Sequence, residues 1–140
     1  MIITTDTGHI FGGYNPIGWI SEYMYNECND AFLFSITDGS YRKPMRCPIK
    51  SSMTKYAIKQ NEIDRSPGFG EIDKADLFIS FCKKTSTNSY SNLGNVYKCP
   101  KGYIDNEFLA GRKNGWKIVD VEMYGIEVIN ESEYFKIVKT

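Results

Sequence analysis

The chain is expected to fold as a mostly β protein, a two-sheet antiparallel β-sandwich with a few short flanking helices. Three observations lead there. Short apolar runs alternate with Gly, Pro, Asn and Asp turn signals along all 140 residues. No stretch longer than about ten residues keeps the apolar period of a helix. Aromatics make up 14% of the chain, mostly Tyr and Phe, and flat rings suit a pleated surface. Many short strands broken by turns pack as a sandwich or a barrel.

Residues 2–4 and 10–14, separated by Thr5-Asp6-Thr7-Gly8-His9, predict a β-hairpin. Gly12-Gly13 signals a bulge or a close backbone approach. Asn15-Pro16-Ile17-Gly18 is a turn, and residues 19–25 a short helix or a loop with aromatic anchors. Ala31-Phe32-Leu33-Phe34-Ser35-Ile36 is apolar on both faces and reads as a strand buried on both sides. Asp38-Gly39-Ser40 closes it. Met45-Arg46-Cys47 begins its partner strand, kept short or at an edge by Pro44 and Pro48. A further short strand lies at Tyr56-Ala57-Ile58, and residues 61–70 read as loop.

Residues 76–81 alternate as a half-buried strand, with Leu77, Ile79 and Phe81 on one side and Asp76, Phe78 and Ser80 on the other. Residues 84–92 are nearly all Ser, Thr and Asn, an irregular surface loop. Cys99-Pro100-Lys101-Gly102 is a turn. The last strong element spans residues 116–128, with Val119, Val121 and Met123 opposite Asp120, Glu122 and Tyr124, and a phase shift at Gly125 of the kind a bulge produces. Phe32, Phe34, Leu77, Ile79, Val119, Val121 and Met123 are expected to share one core. The charged tail either frays or docks through Tyr134, Phe135, Ile137 and Val138.

A chain of 140 residues is one domain by size and long enough to bury a core without disulfides or metals. Hydrophobic residues at 41% and charged residues at 24% are ordinary for a globular protein. Seventeen basic residues balance seventeen acidic ones, which is not the basic footprint of a nucleic-acid binder. The densest basic runs, Tyr41-Arg42-Lys43-Pro44-Met45-Arg46 and Cys82-Lys83-Lys84, read as solvated loop charge. Met1-Ile2-Ile3-Thr4-Thr5-Asp6 has no signal-peptide pattern, and Phe32-Leu33-Phe34, the longest apolar run, is far too short to span a bilayer. The expectation is a cytosolic protein with Cys28, Cys47, Cys82 and Cys99 as reduced thiols. No C-x-x-C pair exists and His9 is the only imidazole, so spacing recommends no zinc site. Asn130-Glu131-Ser132 matches a glycosylation acceptor, a chance match in a protein that is not secreted.

The chemistry-bearing motifs are sparse. H-E-x-x-H, a P-loop, G-x-S-x-G and G-x-G-x-x-G are all absent. Gly68-Phe69-Gly70 begins like a dinucleotide loop but lacks the third glycine. His9 reads as a polar turn residue. Carboxylates remain: Glu122 in the last strand, Glu107 before Phe108-Leu109-Ala110-Gly111, and the group Glu71, Asp73 and Asp76, which reads as loop solvation. Two facing carboxylates could run acid–base hydrolysis, one tuned acidic by burial. That keeps open a small carboxylate-dependent hydrolase using Glu122 and a second acid. Residues 89–94 carry hydroxyls and amides that either grip a ligand or satisfy a tight turn, with Gly94 at positive φ. Trp19, Trp116 and Tyr14 read as core aromatics, or as an exposed patch for a partner.

A string of motifs in fixed order carries more: Gly8-His9-Ile10-Phe11-Gly12-Gly13-Tyr14, Trp19, Phe32-Leu33-Phe34, Gly68-Phe69-Gly70, Asp76-Leu77-Phe78-Ile79, Ser89-Tyr90-Ser91-Asn92-Leu93-Gly94, Tyr97, Phe108-Leu109-Ala110-Gly111 and Val121-Glu122-Met123-Tyr124. In this order they resemble the TLDc domain, the TBC- and LysM-associated domain of oxidation-resistance proteins, over residues 3–128 of a single domain spanning 1–140. The resemblance implies a sandwich with flanking helices. It maps the family's invariant glutamate onto Glu122 and makes Gly12, Gly13, Trp19, Gly68, Gly70, Gly94 and Gly111 motif positions of structural character. It implies no catalytic residue, cofactor or metal. The implied role is a non-catalytic protein-interaction module in oxidative-stress protection or regulation of the vacuolar proton ATPase. Subunits of that pump are the implied partners, with no nucleic acid and no membrane insertion, in the cytosol and peripherally at organelle membranes. A usual TLDc domain begins upstream of the Gly8 motif, whereas this chain starts directly before it. The strand at Ile2-Ile3-Thr4 is therefore expected to be an uncovered edge, filled by the tail or by a second copy.

Overall fold

The computed structural model describes residues 1–19, 25–60, 66–70, 75–80, 88–130 and 134–139. The order of elements is β1 (Ile2–Thr5), β2 (Ile10–Tyr14), β3 (Phe32–Thr37), β4 (Met45–Pro48), a 3-10 turn (Ser51–Tyr56), β5 (Ile58–Gln60), β6 (Pro67–Phe69), β7 (Leu77–Phe78), β8 (Tyr90–Ser91), β9 (Ile118–Glu122), β10 (Tyr124–Asn130) and β11 (Tyr134–Lys139). They form a five-stranded sheet in the order β4-β3-β2-β1-β9, a four-stranded sheet β5-β6-β7-β8 and the hairpin β10-β11. Every pairing is antiparallel. The fold is mostly β with two antiparallel sheets, as turn spacing and composition predict. The flanking helices reduce, among the described residues, to the single 3-10 turn.

The first hairpin forms where its turn chemistry puts it. Gly8 takes φ +81°, which a residue with a Cβ disfavours, and Thr5 N donates to His9 O at 3.1 Å. Register then aligns Ile3 with Phe11, Phe11 with Ser35 and Gly13 with Leu33. Ile3, Phe11, Leu33 and Cys47 from the larger sheet join Ile58, Phe69 and Leu77 from the smaller one in a single buried cluster. Each such side chain contributes roughly 1.5–3 kcal/mol by leaving water. Phe108, Leu109 and Trp116 come from the long connection before β9, and the Trp116 indole meets Phe11 edge to face at 5.6 Å. Gly13 lets the two sheets approach closely, because a Cβ there would run into the Phe69 ring. Gly12 lies under Phe34 and against the Met1 carbonyl. The pair thus marks close approach, while the register shift in β2 falls between Ile10 and Phe11.

Several expectations fail for identifiable reasons. In β3 only Leu33 and Ser35 are buried; Phe32 and Phe34 are half-buried on the outer face, where Tyr14, Phe32 and Arg46 stack over one another. Val119 is 65% exposed. A register shift between Thr4 and Thr5 skips it, so that Ile118 stands opposite Thr5 and packs on the core. A bulge decided by the neighbouring strand overrides simple alternation. Val121 and Met123 are half-buried. The expected long strand breaks at Met123: β9 joins the larger sheet and β10 turns away to pair with β11. Gly125 stands in register opposite Val138, and the shift in that hairpin lies between Val128 and Asn130.

β1 is not an edge, since β2 flanks it on one side and β9 on the other. Tyr134, Phe135, Ile137 and Val138 lie in β11, paired with β10. Residues 67–69 form β6 rather than loop, and Tyr90–Ser91 forms β8 with Ser89 and Ser91 buried rather than a surface loop. The helix or loop expected after Trp19 falls mainly on residues 20–24, outside the described residues.

Candidate functional site

Two charged residues that read as solvated in the sequence are drawn inward by the fold. The first is Asp76, immediately before β7 and fully buried. Its Oδ2 accepts from Gly94 N at 2.9 Å, Asn95 N at 3.0 Å and Tyr97 N at 2.9 Å, and its Oδ1 from Val96 N at 2.8 Å. Gly94, at φ +107°, turns the backbone so that successive N–H groups converge into an anion-binding nest. Gly70, at φ +95°, leaves the space on the other side, where a Cβ would stand 2.7 Å from Asp76 Oδ1. Burial raises the carboxyl to about 6 even though the four amides pull it down. At neutral pH it is the ion, and the N–H donors make an ion tolerable there. Tyr97, also buried, donates its hydroxyl to Ala57 O at 2.6 Å, and burial keeps its phenol protonated. Lys50 Nζ donates to Gly94 O at 2.5 Å. Gly70 and Asp76 from one stretch of the chain and residues 94–97 from another thus form one knot around the buried Asp76 carboxylate.

The second is Arg42, in the loop between β3 and β4. Its Nη2 donates to Ser35 Oγ at 2.5 Å and to Phe108 O at 3.3 Å. The guanidinium lies 4.4 Å from the Phe108 ring centre and 5.2 Å from that of Tyr103, and Nε is 3.7 Å from Asp38. Ser40, through its hydroxyl and its amide, holds the Asp38 carboxyl below its usual value. Tyr103 meets Phe108 edge to face at 5.0 Å, and Phe108 N and Gly111 N bond back to Ile104 O and Glu107 O at 3.0 and 2.9 Å. Arg42 therefore staples the 38–44 loop to the 100–111 turn. Above that staple Tyr41 is fully exposed, Ile104 63% exposed and Tyr103 40% exposed. Lys43 and Lys101, on the same two loops, are exposed as well. Single exposed apolar residues are ordinary; here three of them stand on two loops that Arg42 holds together.

The sequence-derived candidates scatter. Glu122 ends β9 opposite Ile2, half-buried, and accepts the Tyr124 hydroxyl at 2.6 Å. It ends a strand of the larger sheet, while Asp76 stands before β7 of the smaller one with its two oxygens taken up by backbone amides. Glu107 is exposed, and Glu71 and Asp73 lie outside the described residues. Gly68 approaches the Lys59 carbonyl, 2.8 Å from where a Cβ would be, and Gly111, at φ +80°, approaches the His9 ring. Thr7 Oγ1 donates to Ala110 O at 3.1 Å and lies 3.1 Å from His9 Nδ1, which pins the first hairpin to the same turn. Trp19 packs edge to face on Phe69 at 5.4 Å, Trp116 is core, and Tyr14 tilts against Phe32. For Arg42 and Asp76 sequence reasoning missed the role, reading both as solvated charge; the available signals were that Asp76 opens the family motif Asp76-Leu77-Phe78-Ile79 and that Gly70 and Gly94 stand on either side of it.

The family model of the TLDc domain matches residues 1–127. The chain belongs to the TLDc domain family. Neither a curated protein nor a solved structure matches it. The TLDc match ends inside β10, so β11 lies beyond it. Among the described residues of this TLDc domain no group of three His, Cys, Asp or Glu is placed to hold a metal, and no helix is long and apolar enough to cross a membrane.

Proposed function

We propose that this TLDc domain is a non-catalytic protein-interaction module that acts in protection against oxidative damage, through or alongside regulation of the vacuolar proton ATPase. The observation that carries the reading is the surface braced by Arg42, where Tyr41, Tyr103 and Ile104 stand in water on two loops held in one arrangement. Tyrosine anchors bury much area for little lost rotamer freedom, and Tyr is among the residues over-represented at binding hot spots. Bracing lowers the ordering cost of association. The carboxylates weighed for hydrolysis are engaged elsewhere, Asp76 by four backbone amides and Glu122 by Tyr124. The pump subunits are the expected partners in a cell of native origin.

The test is affinity purification of the tagged wild type and of Ile104→Asp from native cells, with mass spectrometry of what is retained. Subunits of the proton pump should be enriched with the wild type and depleted with the variant, and peroxide survival should fall in parallel. A folded wild type that retains no pump subunit refutes the pump assignment. Equal retention by Ile104→Asp refutes the assignment of the surface.

A further inference from the structure

Beside β4, on the side away from β3, runs the segment that follows the Asp76 knot. Ile49 and Tyr97 form an isolated antiparallel bridge. Lys50 N donates to Val96 O at 2.9 Å, and Lys98 N donates to Pro48 O at 2.8 Å. These bonds flank the Ile49–Tyr97 pair instead of joining its members, which makes it the narrow, non-hydrogen-bonded type of antiparallel pair. That phase repeats every second residue, and two residues further along both segments stand Cys47 and Cys99. Facing Cα atoms in such a pair lie about 4.5 Å apart, inside the roughly 4.4–6.8 Å that a disulfide spans. The side chains agree with the register. Cys47 belongs to the core with no exposure, and Cys99 packs against that core from its rim. Burial pushes the Cys47 thiol up to about 12, with Cys99 the next contributor. Both are free thiols.

We propose that Cys47 and Cys99 are a two-thiol oxidation site, closed to a disulfide by small disulfides of the oxidised-glutathione class. Cys99 is the entry, because it is half-buried while Cys47 has no solvent exposure. The Cys99 thiolate attacks one sulfur of the small disulfide, forms a mixed disulfide and expels one thiolate. The Cys47 thiol, giving its proton to that thiolate, then attacks the Cys99 sulfur and expels the second. Two electrons pass from the cysteine pair to the small disulfide, which leaves as two thiols. The new bond ties β4 to the segment that carries the nest for Asp76. Burial, and then Asp105, raise the Cys99 thiol to about 11. Oxidation is therefore slow at neutral pH and accelerates about tenfold per pH unit below that value, with the thiolate fraction.

The experiment incubates the full chain with excess oxidised glutathione and maps disulfides by mass spectrometry of a non-reduced digest. A Cys47–Cys99 linked peptide pair is expected, about 2 Da lighter than the sum of its reduced parts, and the melting temperature of the oxidised protein should rise. Cys28→Ser should leave the link intact. Cys99→Ser should abolish it, and in Cys47→Ala glutathione should stay attached to Cys99. A wild type, folded by circular dichroism, that keeps glutathione on Cys99 or joins Cys99 to Cys28 or Cys82 overturns the proposal. So does a Cys99 that resists oxidation in the native protein but reacts once unfolded. If Cys47→Ala does not fold, the wild-type digest decides alone.

Discussion

Asp76 and Arg42 are both charges drawn out of water, and the fold houses them in opposite ways. Asp76 meets four backbone N–H groups from one short segment. Its partners are part of the main chain, so they cannot leave without unfolding the segment. Arg42 meets two aromatic faces, one hydroxyl, one carbonyl and, at 3.7 Å, one carboxylate. Its partners belong to separate segments, the strand β3, its own loop and the 100–111 turn, and its Nε has no hydrogen bond. A carboxylate locked by amide dipoles is a folding device and presents nothing to solvent. A guanidinium wedged between loops gives a surface its shape, and that surface carries the exposed Tyr41, Tyr103 and Ile104. Burial of an ion by itself therefore says little about function. What decides is whether its partners are backbone or side chain, and whether anything exposed rests on them.

Breaking the first arrangement should cost the most. Asp76→Asn keeps the shape but replaces one oxygen by an NH₂ group that points donors at donors. Amides left without an acceptor in a buried site carry the full desolvation cost, so a loss of roughly 3–5 kcal/mol is expected, as for a buried pair deprived of one partner. Urea unfolding measures it, and a loss below about 1 kcal/mol would mean that water or other groups serve the nest. Gly94→Ala attacks the same knot from the backbone. It forces a Cβ onto φ +107° and 2.7 Å from an Asp105 oxygen, at an expected cost of about 1–3 kcal/mol.

Arg42→Met should cost less, about 1–2 kcal/mol, because the hydrophobic stem stays while one charged hydrogen bond and the ring contacts go. The diagnostic is local. Amide exchange in residues 38–44 and 100–111 should speed up while the Asp76 knot keeps its protection, and Arg42→Lys should not restore it, since an ammonium cannot span Ser35, Phe108 and both rings. Faster exchange in the knot as well would show that the two regions are not independent.

The parts of the fold legible in the sequence are those decided locally. The hairpin of β1 and β2 follows from Gly8 and its apolar flanks, and the β3–β4 pair from Asp38-Gly39 and the two prolines. Positions decided by distant partners were not legible. Val119 and Ile118 exchange faces because β1 sets the register of β9. Asp76 finds its amides 18 to 21 residues on, and Arg42 reaches a carbonyl 66 residues away. A charge in a polar loop reads as solvated because nothing nearby in the chain contradicts it. Glu122 was legible as a position of the family motif, yet the Tyr124 hydroxyl that it accepts comes from two residues along the same chain, too close in sequence to define a cleft.

The smallest effect on stability, and the sharpest test of what the Arg42 region is for, belongs to Tyr41. Its side chain touches water on every side, so Tyr41→Ala should change unfolding free energy by no more than about 0.5 kcal/mol. If the braced loops are a contact surface, the same change should weaken partner binding by about 2 kcal/mol, roughly thirtyfold, as the loss of a central aromatic anchor does. Val119→Ala is the control, because Val119 is also exposed, at 65%, but lies on the edge strand β9, outside these two loops. Calorimetric titration of the purified partner against both variants separates the cases. Loss with Tyr41→Ala and none with Val119→Ala assigns binding to the Arg42 surface. The reverse moves it to the edge of the sheet, where a partner strand would add to β9, and leaves Arg42 as a loop fastener and nothing more.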